Sequence, residues 1–172
     1  MPIYIRKMTP DDIAAVVKII REHEDFDGDC SQDYYDGYFG DSKRTESSRE
    51  ENFVSYDSES GQVIGVCGFC PDKYDTPNIL WLNWFYLSED YRGKGIGVNL
   101  LEFTINRILD MKISKVYLDT SSYHSYAKAI QLYKDFGFGI EGDLKDYYGK
   151  GENFLIMGLD LNQYKQKMGI SQ

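Results

Sequence analysis

The sequence predicts an α/β domain, with elements in the order βα(α)βββαβαββ and a mixed sheet carrying helices on both faces. Three observations carry this expectation. Runs with strand patterning alternate with helical periodicities along the chain, rather than collecting in one half. The apolar, aromatic run Ile79 to Leu87 leads through Tyr91-Arg92-Gly93-Lys94-Gly95-Ile96-Gly97 into a helical pattern from Val98 to Met111, with Leu100, Leu101, Ile105, Ile108 and Leu109 on its inner side. At 172 residues, with 42% apolar and 27% charged residues, the chain suits one soluble globular domain, residues 1–172, with a sizeable core.

Taken in order, Ile3 to Lys7 alternates and predicts a first strand. Thr9-Pro10-Asp11-Asp12 starts a helix: a capping residue, a proline in the first turn, and acids at the positive end of the dipole. That helix runs to about Glu22, with Ile13, Val16, Val17 and Ile20 on one face. A short second helix is expected around Ser31 to Phe39, and a polar, mobile loop from Asp41 to Glu51. Asn52 to Tyr56 and Gln62 to Cys70 predict a hairpin joined at Glu59-Ser60-Gly61. After the strand, glycine turn and helix comes a strand from Lys115 to Asp119, then a helix ending near Phe136. Gly137 to Glu141 and Phe154 to Leu161 predict the last strands, with Gly142 to Gly151 as a loop or hairpin tip.

The glycine turn carries the first chemical claim. A helix N-terminus offers N–H groups without partners and the positive end of the dipole, so it binds anions. Glycines let a phosphate approach without meeting a Cβ, and Arg92 and Lys94 add positive charge. The dinucleotide pattern G-x-G-x-x-G fails, because Val98 or Leu100 stands where its third glycine belongs. The triphosphate loop G-x-x-x-x-G-K-[ST] fails too, since no Gly-Lys-Ser/Thr occurs. The remaining reading is R-x-x-G-x-G, filled by Arg92, Gly95 and Gly97, beside the bland alternative of a tight structural turn.

With the preceding Phe85-Tyr86-Leu87-Ser88-Glu89-Asp90-Tyr91, this loop resembles the acetyl-CoA loop of the GNAT family of N-acetyltransferases. A second segment, Ala129 to Phe138, is similar to that family's A-x-x-L-Y-x-x-x-G-F signature, and its Tyr133 lies 36 residues beyond Gly97 (133 − 97). The resemblance covers roughly residues 79 to 140. It implies the acyl-CoA N-acyltransferase fold, with a mixed, mostly antiparallel central sheet. It also implies acetyl-CoA as donor, with coenzyme A as co-product, and direct transfer to a primary amine through a ternary complex.

The resemblance further assigns roles. The backbone from Gly93 through Lys94, Gly95, Ile96 and Gly97 to Val98 cradles the pyrophosphate, with Arg92 at its start. The strand ending at Tyr86 and Leu87 splays from the next one and pairs with the pantetheine arm. An N–H near Phe85 or Tyr86 polarises the thioester carbonyl. Tyr133 is the candidate general acid for the leaving thiolate; a helix tyrosine packed in the core is the plain alternative. Some members have a glutamate nine residues before the loop arginine, and here Asn83 stands there. Asn83 cannot act as a base; it can hold a water or a substrate group, or be a structural strand residue. The base is then bulk water, an acid between Glu22 and Asp41, Asp119, or His124. Tyr126 occupies the place of a coenzyme-contacting asparagine, which leaves its backbone or hydroxyl for that contact.

The net charge of −9 disfavours a nucleic-acid partner and favours a cationic one. The imbalance is local: eight acids lie between Glu22 and Asp41 with no Lys or Arg among them, interleaved with Tyr34, Tyr35, Tyr38 and Phe39. In the resembled family the first helices and their loop help to shape the acceptor site, so the resemblance implies Asp25, Asp27, Asp29, Tyr34 and Tyr35 as candidate acceptor residues, suited to a cationic amine by charge and cation–π contact. They point to a polyamine, an aminoglycoside or an amino-acid-like amine; a merely solvated acidic loop is the alternative. A protein lysine or N-terminal acceptor, and a non-catalytic acyl-CoA sensor, are the competing functions. No apolar run spans a membrane and no leader opens the chain, so a cytoplasmic protein is expected. Three cysteines argue against a disulfide framework, and Cys67-Gly68-Phe69-Cys70 lacks the second pair that zinc needs, so no metal is expected. The hydrophobic final strand suits either the core or a homodimer interface.

Overall fold

The computed structural model describes residues 2–170. Seven strands follow the hydrogen-bonded order β1-β2-β3-β4-β5-β7-β6 in a mixed, mostly antiparallel sheet. The chain forms two compact units: residues up to Cys70 with Leu82–Asp110, and Pro71–Trp81 with Met111 onward.

The first unit holds β1 (Ile3–Lys7), α1 (Ile13–Arg21), α2 (Asp25–Gly40), α3 (Ser42–Thr45), β2 (Glu51–Asp57), β3 (Val63–Cys70), most of β4 (Ile79–Leu87) and α4 (Ile96–Leu109). Antiparallel pairing sets Ile5 against Ser55, Val54 against Val66 and Asn52 against Gly68. Because side chains alternate across a strand, neighbours on β2 serve opposite faces. Val54 joins a core with Val16, Val17, Ile19 and Ile20 of α1 and Tyr35 of α2. Phe53, one residue earlier, meets Phe103 of α4 edge-on at 5.2 Å. The two-sided burial explains why β2 and β3 are nearly all buried, polar residues included. Before α1, Asp12 accepts hydrogen bonds from the Thr9 amide and from both Arg6 guanidinium nitrogens, at 2.7 to 2.8 Å.

Two expectations are corrected here. The second helix is not short: α2 runs sixteen residues. Its start hides from a pattern search because Phe26 is exposed and Gly28 interrupts the propensity. Gly28 is nonetheless required, since a Cβ there would lie 2.8 Å from the Arg21 Cβ. Asp25 and Asp27 in its first turn complement the dipole. The polar segment after Gly40 is not a plain loop either. Asp41 caps α3 by accepting from the Lys43 amide at 2.9 Å, and Glu50 is buried in an ion pair with Arg44.

The second unit holds the start of β4, β5 (Lys115–Ser121), α5 (Ala127–Phe136), β6 (Gly139–Gly149), β7 (Glu152–Asp160) and α6 (Leu161–Met168). Ile79–Trp81 pairs in parallel with Lys115–Tyr117, and β5 pairs antiparallel with β7 along its length. Gly137, at φ 119°, stops α5 in the left-handed conformation that glycine favours. The segment 142–151, expected as a loop or tip, is mostly strand: β6 is eleven residues long. It is solvent-exposed along nearly its whole length, so it shows no hydrophobic alternation to read. The last helix, α6, was not expected. Asp160 caps it by accepting from the Asn162 and Gln163 amides at 2.9 Å, and Tyr164 stacks on Phe136 at 5.2 Å. Among the described residues, no helix is long and apolar enough to cross a membrane, and no group of three or more His, Cys, Asp and Glu is placed to hold a metal ion.

Candidate functional site

β4 ends in a single 3-10 turn, Glu89–Tyr91, and the glycine loop follows it into α4. Gly93 and Gly95 sit at φ 73° and 79°, left-handed positions that cost other residues energy. A Cβ at either would meet nothing within 4 Å. These glycines therefore serve the backbone path, which turns the chain so that α4 opens on its N-terminus. Gly95 is the N-cap and supplies no side chain to cap the first turn. The Arg92 side chain folds back: its Nε donates to the Leu87 carbonyl at 3.0 Å and it pairs with Glu89 at 3.3 Å. Lys94 donates to the Asp90 carbonyl at 2.8 Å and lies 5.1 Å from the Tyr91 ring. An open helix start flanked by two cations fits a diphosphate.

Upstream, Trp84 holds φ at 47°, rare for a bulky residue and a local break in the strand's regularity. Phe85, Tyr86 and Leu87 follow it, half-buried. The Tyr86 hydroxyl donates to Asp27 at 2.5 Å, and its ring meets His23 edge-on at 5.6 Å. His23 is held below the ordinary histidine value, first by burial and then by the Arg92 charge, against the pull of Asp27, Glu24 and Glu89. It is therefore neutral at pH 7. His23 lies within the acidic segment, and its place between Glu22 and Glu24 is the only sequence signal for it.

Asn83 sits in a polar cluster with residues from four elements or their flanks. Arg44 grips Glu50 through two nitrogens, at 3.0 and 2.6 Å, and lies over the Tyr34 and Tyr38 rings. Tyr34 donates to Glu50 at 2.9 Å and accepts from Asn83 at 2.7 Å and from Asn52 at 3.4 Å. Burial, then Glu50, pushes the Tyr34 hydroxyl above the ordinary tyrosine value, so it is a donor here and never a phenolate. Glu50, Asn52 and Arg44 were not foreseen. Asn52 at the start of an apolar strand was a legible oddity; Glu50 in a polar run was not.

The five acceptor candidates separate on inspection. Asp25 is exposed at the start of α2. Asp27 is engaged by Tyr86, and Asp29 pairs with Arg21 at 2.6 Å. Tyr34 belongs to the cluster with Glu50, while Tyr35 is fully buried and offers no surface. In the second unit, Tyr133 is buried on α5, edge-on to Phe138 at 5.9 Å. Tyr126 is the half-buried N-cap of that helix. Asp119 is exposed on β5, and His124 is exposed with its ring 4.2 Å from Tyr123. Cys67 is buried among apolar groups, which pushes its thiol up to about 12 and removes it as a nucleophile.

Comparison with known proteins bears on this geometry. The spermine/spermidine N(1)-acetyltransferase of Bacillus subtilis (strain 168) is 34% identical over 96 residues, 52% of this chain and 60% of that protein. The N-alpha-acetyltransferase 30 of Dictyostelium discoideum is 30% identical over 106 residues, 60% of this chain and 55% of that protein. The chain thus spans less than two thirds of the length of these relatives. Among solved structures, a Desulfovibrio desulfuricans chain named for the GNAT family aligns with a TM-score of 0.80 at 19% identity, over 93% of this chain and 99% of that one. A spermidine N-acetyltransferase chimera from Vibrio cholerae aligns with a TM-score of 0.73 at 18% identity, over 95% and 98%. At such identities these structures show the fold. The family model described as Acetyltransferase (GNAT) family matches residues 16–138, from α1 through the signature segment on α5, and the chain belongs to that family.

Proposed function

We propose that the protein transfers an acetyl group from acetyl-CoA to a primary amine of a small cationic acceptor, foremost a polyamine, by direct attack within a ternary complex. The observation that carries this reading is the uncapped start of α4, turned open by two left-handed glycines and flanked by Arg92 and Lys94. The amides from Gly93 to Val98 hold the diphosphate, and the backbone near Phe85 and Tyr86 meets the thioester carbonyl. The neutral amine nitrogen attacks that carbon, the C–S bond breaks, the Tyr133 hydroxyl hydrogen-bonds or protonates the departing sulfur, and the proton lost by the new amide nitrogen passes to water, which restores the tyrosine. A phenol is the weaker acid of the pair, so hydrogen bonding supplies a large share of its effect.

For the acceptor, α2 supplies the charge. Asp25, Asp33 and Asp36 are exposed on it, and Asp27 lies at the Tyr86 hydroxyl. The likeness to a protein named spermine/spermidine N(1)-acetyltransferase supports a polyamine. The likeness to N-alpha-acetyltransferase 30 supports a peptide N-terminus as the second reading.

The test follows release of free thiol from acetyl-CoA against spermidine, spermine, an aminoglycoside, amino acids and a peptide N-terminus. We expect polyamines to lead, with kcat/KM falling as salt rises. Charge removal at Asp25 or Asp27 should weaken polyamine use more than at Asp29, whose charge Arg21 already answers. Coenzyme A binding without thiol release beside any amine would establish a sensor instead.

A further inference from the structure

The cluster around Asn83 has a polarity that its hydrogen bonds dictate. Glu50, gripped by two Arg44 nitrogens, is an ionised carboxylate and only accepts. It takes the single proton that the Tyr34 hydroxyl has to give. The phenol oxygen then has only lone pairs to offer Asn83 and Asn52, so both amides turn their NH2 groups toward it. Both carbonyl oxygens must therefore point the other way.

They converge over Gly68. A Cβ on Gly68 would lie 2.3 Å from Asn52 Oδ1, 2.4 Å from Asn83 Oδ1 and 2.9 Å from the Glu51 backbone oxygen. Both amide oxygens are buried, Asn52 is fully so, and neither oxygen has a hydrogen-bond partner among the described residues. Two amide oxygens thus face one place, beside a residue with no side chain, with no donor to answer them.

We propose that the place over Gly68 is a subsite for one donor atom bearing at least two N–H or O–H protons, and that Arg44, Glu50 and Tyr34 are positioning residues that fix its polarity. The chemistry fits the primary ammonium of the acceptor or a water that holds its place, and excludes carboxylates and quaternary ammonium groups. The inference deepens the acetyltransferase reading and rests on it. It also accounts for asparagine at position 83. A carboxylate there would compete with Glu50 for one phenol proton, setting two buried anions against each other.

The test combines crystallography with kinetics. Crystals of the protein with coenzyme A, grown with and without spermidine, should show a peak within hydrogen-bond distance of both amide oxygens. Continuous density to the polyamine assigns the site to the ammonium; a discrete peak that persists assigns it to water. No peak in either crystal overturns the proposal. Gly68→Ala has no room for its Cβ and is confounded by misfolding, so Asn83→Leu, which keeps the shape, and Tyr34→Phe, which releases the amides, carry the kinetics. Each should raise the amine KM about tenfold or more, with coenzyme A affinity near wild type in protein that calorimetry shows to be folded; Asn83→Gln, which keeps the acceptor, should recover part of the loss. Unchanged amine KM in both variants refutes the subsite while leaving acetyl transfer intact. A wild-type protein that acetylates no amine yet shows the water peak refutes the acetyltransferase reading and keeps the subsite.

Discussion

Replacing Gly95 with alanine isolates one physical effect. The φ of 79° is a left-handed value, and the added methyl meets nothing within 4 Å. Steric repulsion from neighbours is therefore absent, and the whole cost is conformational, roughly 1–2 kcal/mol for a residue with a Cβ. If the variant keeps the wild-type backbone, that cost lowers the melting temperature by roughly 2–8 °C for a chain of this size. If it relaxes, α4 no longer opens correctly, and the same energy returns as a coenzyme A Kd weaker by roughly 5–30-fold. Scanning calorimetry and titration calorimetry on the same preparation capture both routes, and together they should account for the full penalty. Gly95→Asn, which tolerates this conformation better, should recover part of it. A Gly95→Ala protein with wild-type melting and wild-type coenzyme affinity would falsify the assignment of this glycine to the anion cradle's backbone.

Other expectations follow from the same structure. Tyr133→Phe should lower turnover roughly 10–100-fold while coenzyme A affinity stays near wild type; undiminished turnover removes the hydroxyl from the mechanism. His23 has its folded-state pKa lowered, so the unfolded chain takes up a proton first as pH drops. Stability should then rise with pH through the window just below 6.5, and His23→Gln should flatten that part of a melting-temperature profile; parallel profiles refute this. Gly28→Ala should cost about 1–3 kcal/mol by forcing α2 away from Arg21, whose Cβ lies 2.8 Å from the added atom. A denaturant midpoint equal to wild type would show that the two helices do not need their close approach.

What the sequence revealed divides along a physical line. β1, the β2–β3 hairpin and β4 were legible because burial writes a pattern: alternation, or a continuous apolar run such as Ile79 to Leu87. The turn into α4 was legible because left-handed backbone demands glycine. α2 and β6 were not. The first half of α2 shows acids and an exposed phenylalanine, and β6 has scarcely a buried residue to set a period. The site divides likewise. Arg92, the glycines and Tyr133 stand at motif spacings, whereas Arg44, Glu50, Asn52, Tyr34 and Asn83 meet through contacts of up to 49 residues' separation. No local pattern encodes such a meeting, and only an isolated polar residue in an apolar strand hints at it.

The eleven residues of β6 stand last in the sheet order and expose Ile140, Leu144, Tyr147 and Tyr148. A border of that length, offering backbone groups and aromatic rings, is a template on which foreign strands grow. Its defence is electrostatic: Glu141, Asp143, Lys145 and Asp146 break the apolar surface. Variants that neutralise those charges would expose this border to strand addition and fibrous precipitation, even with catalysis untouched.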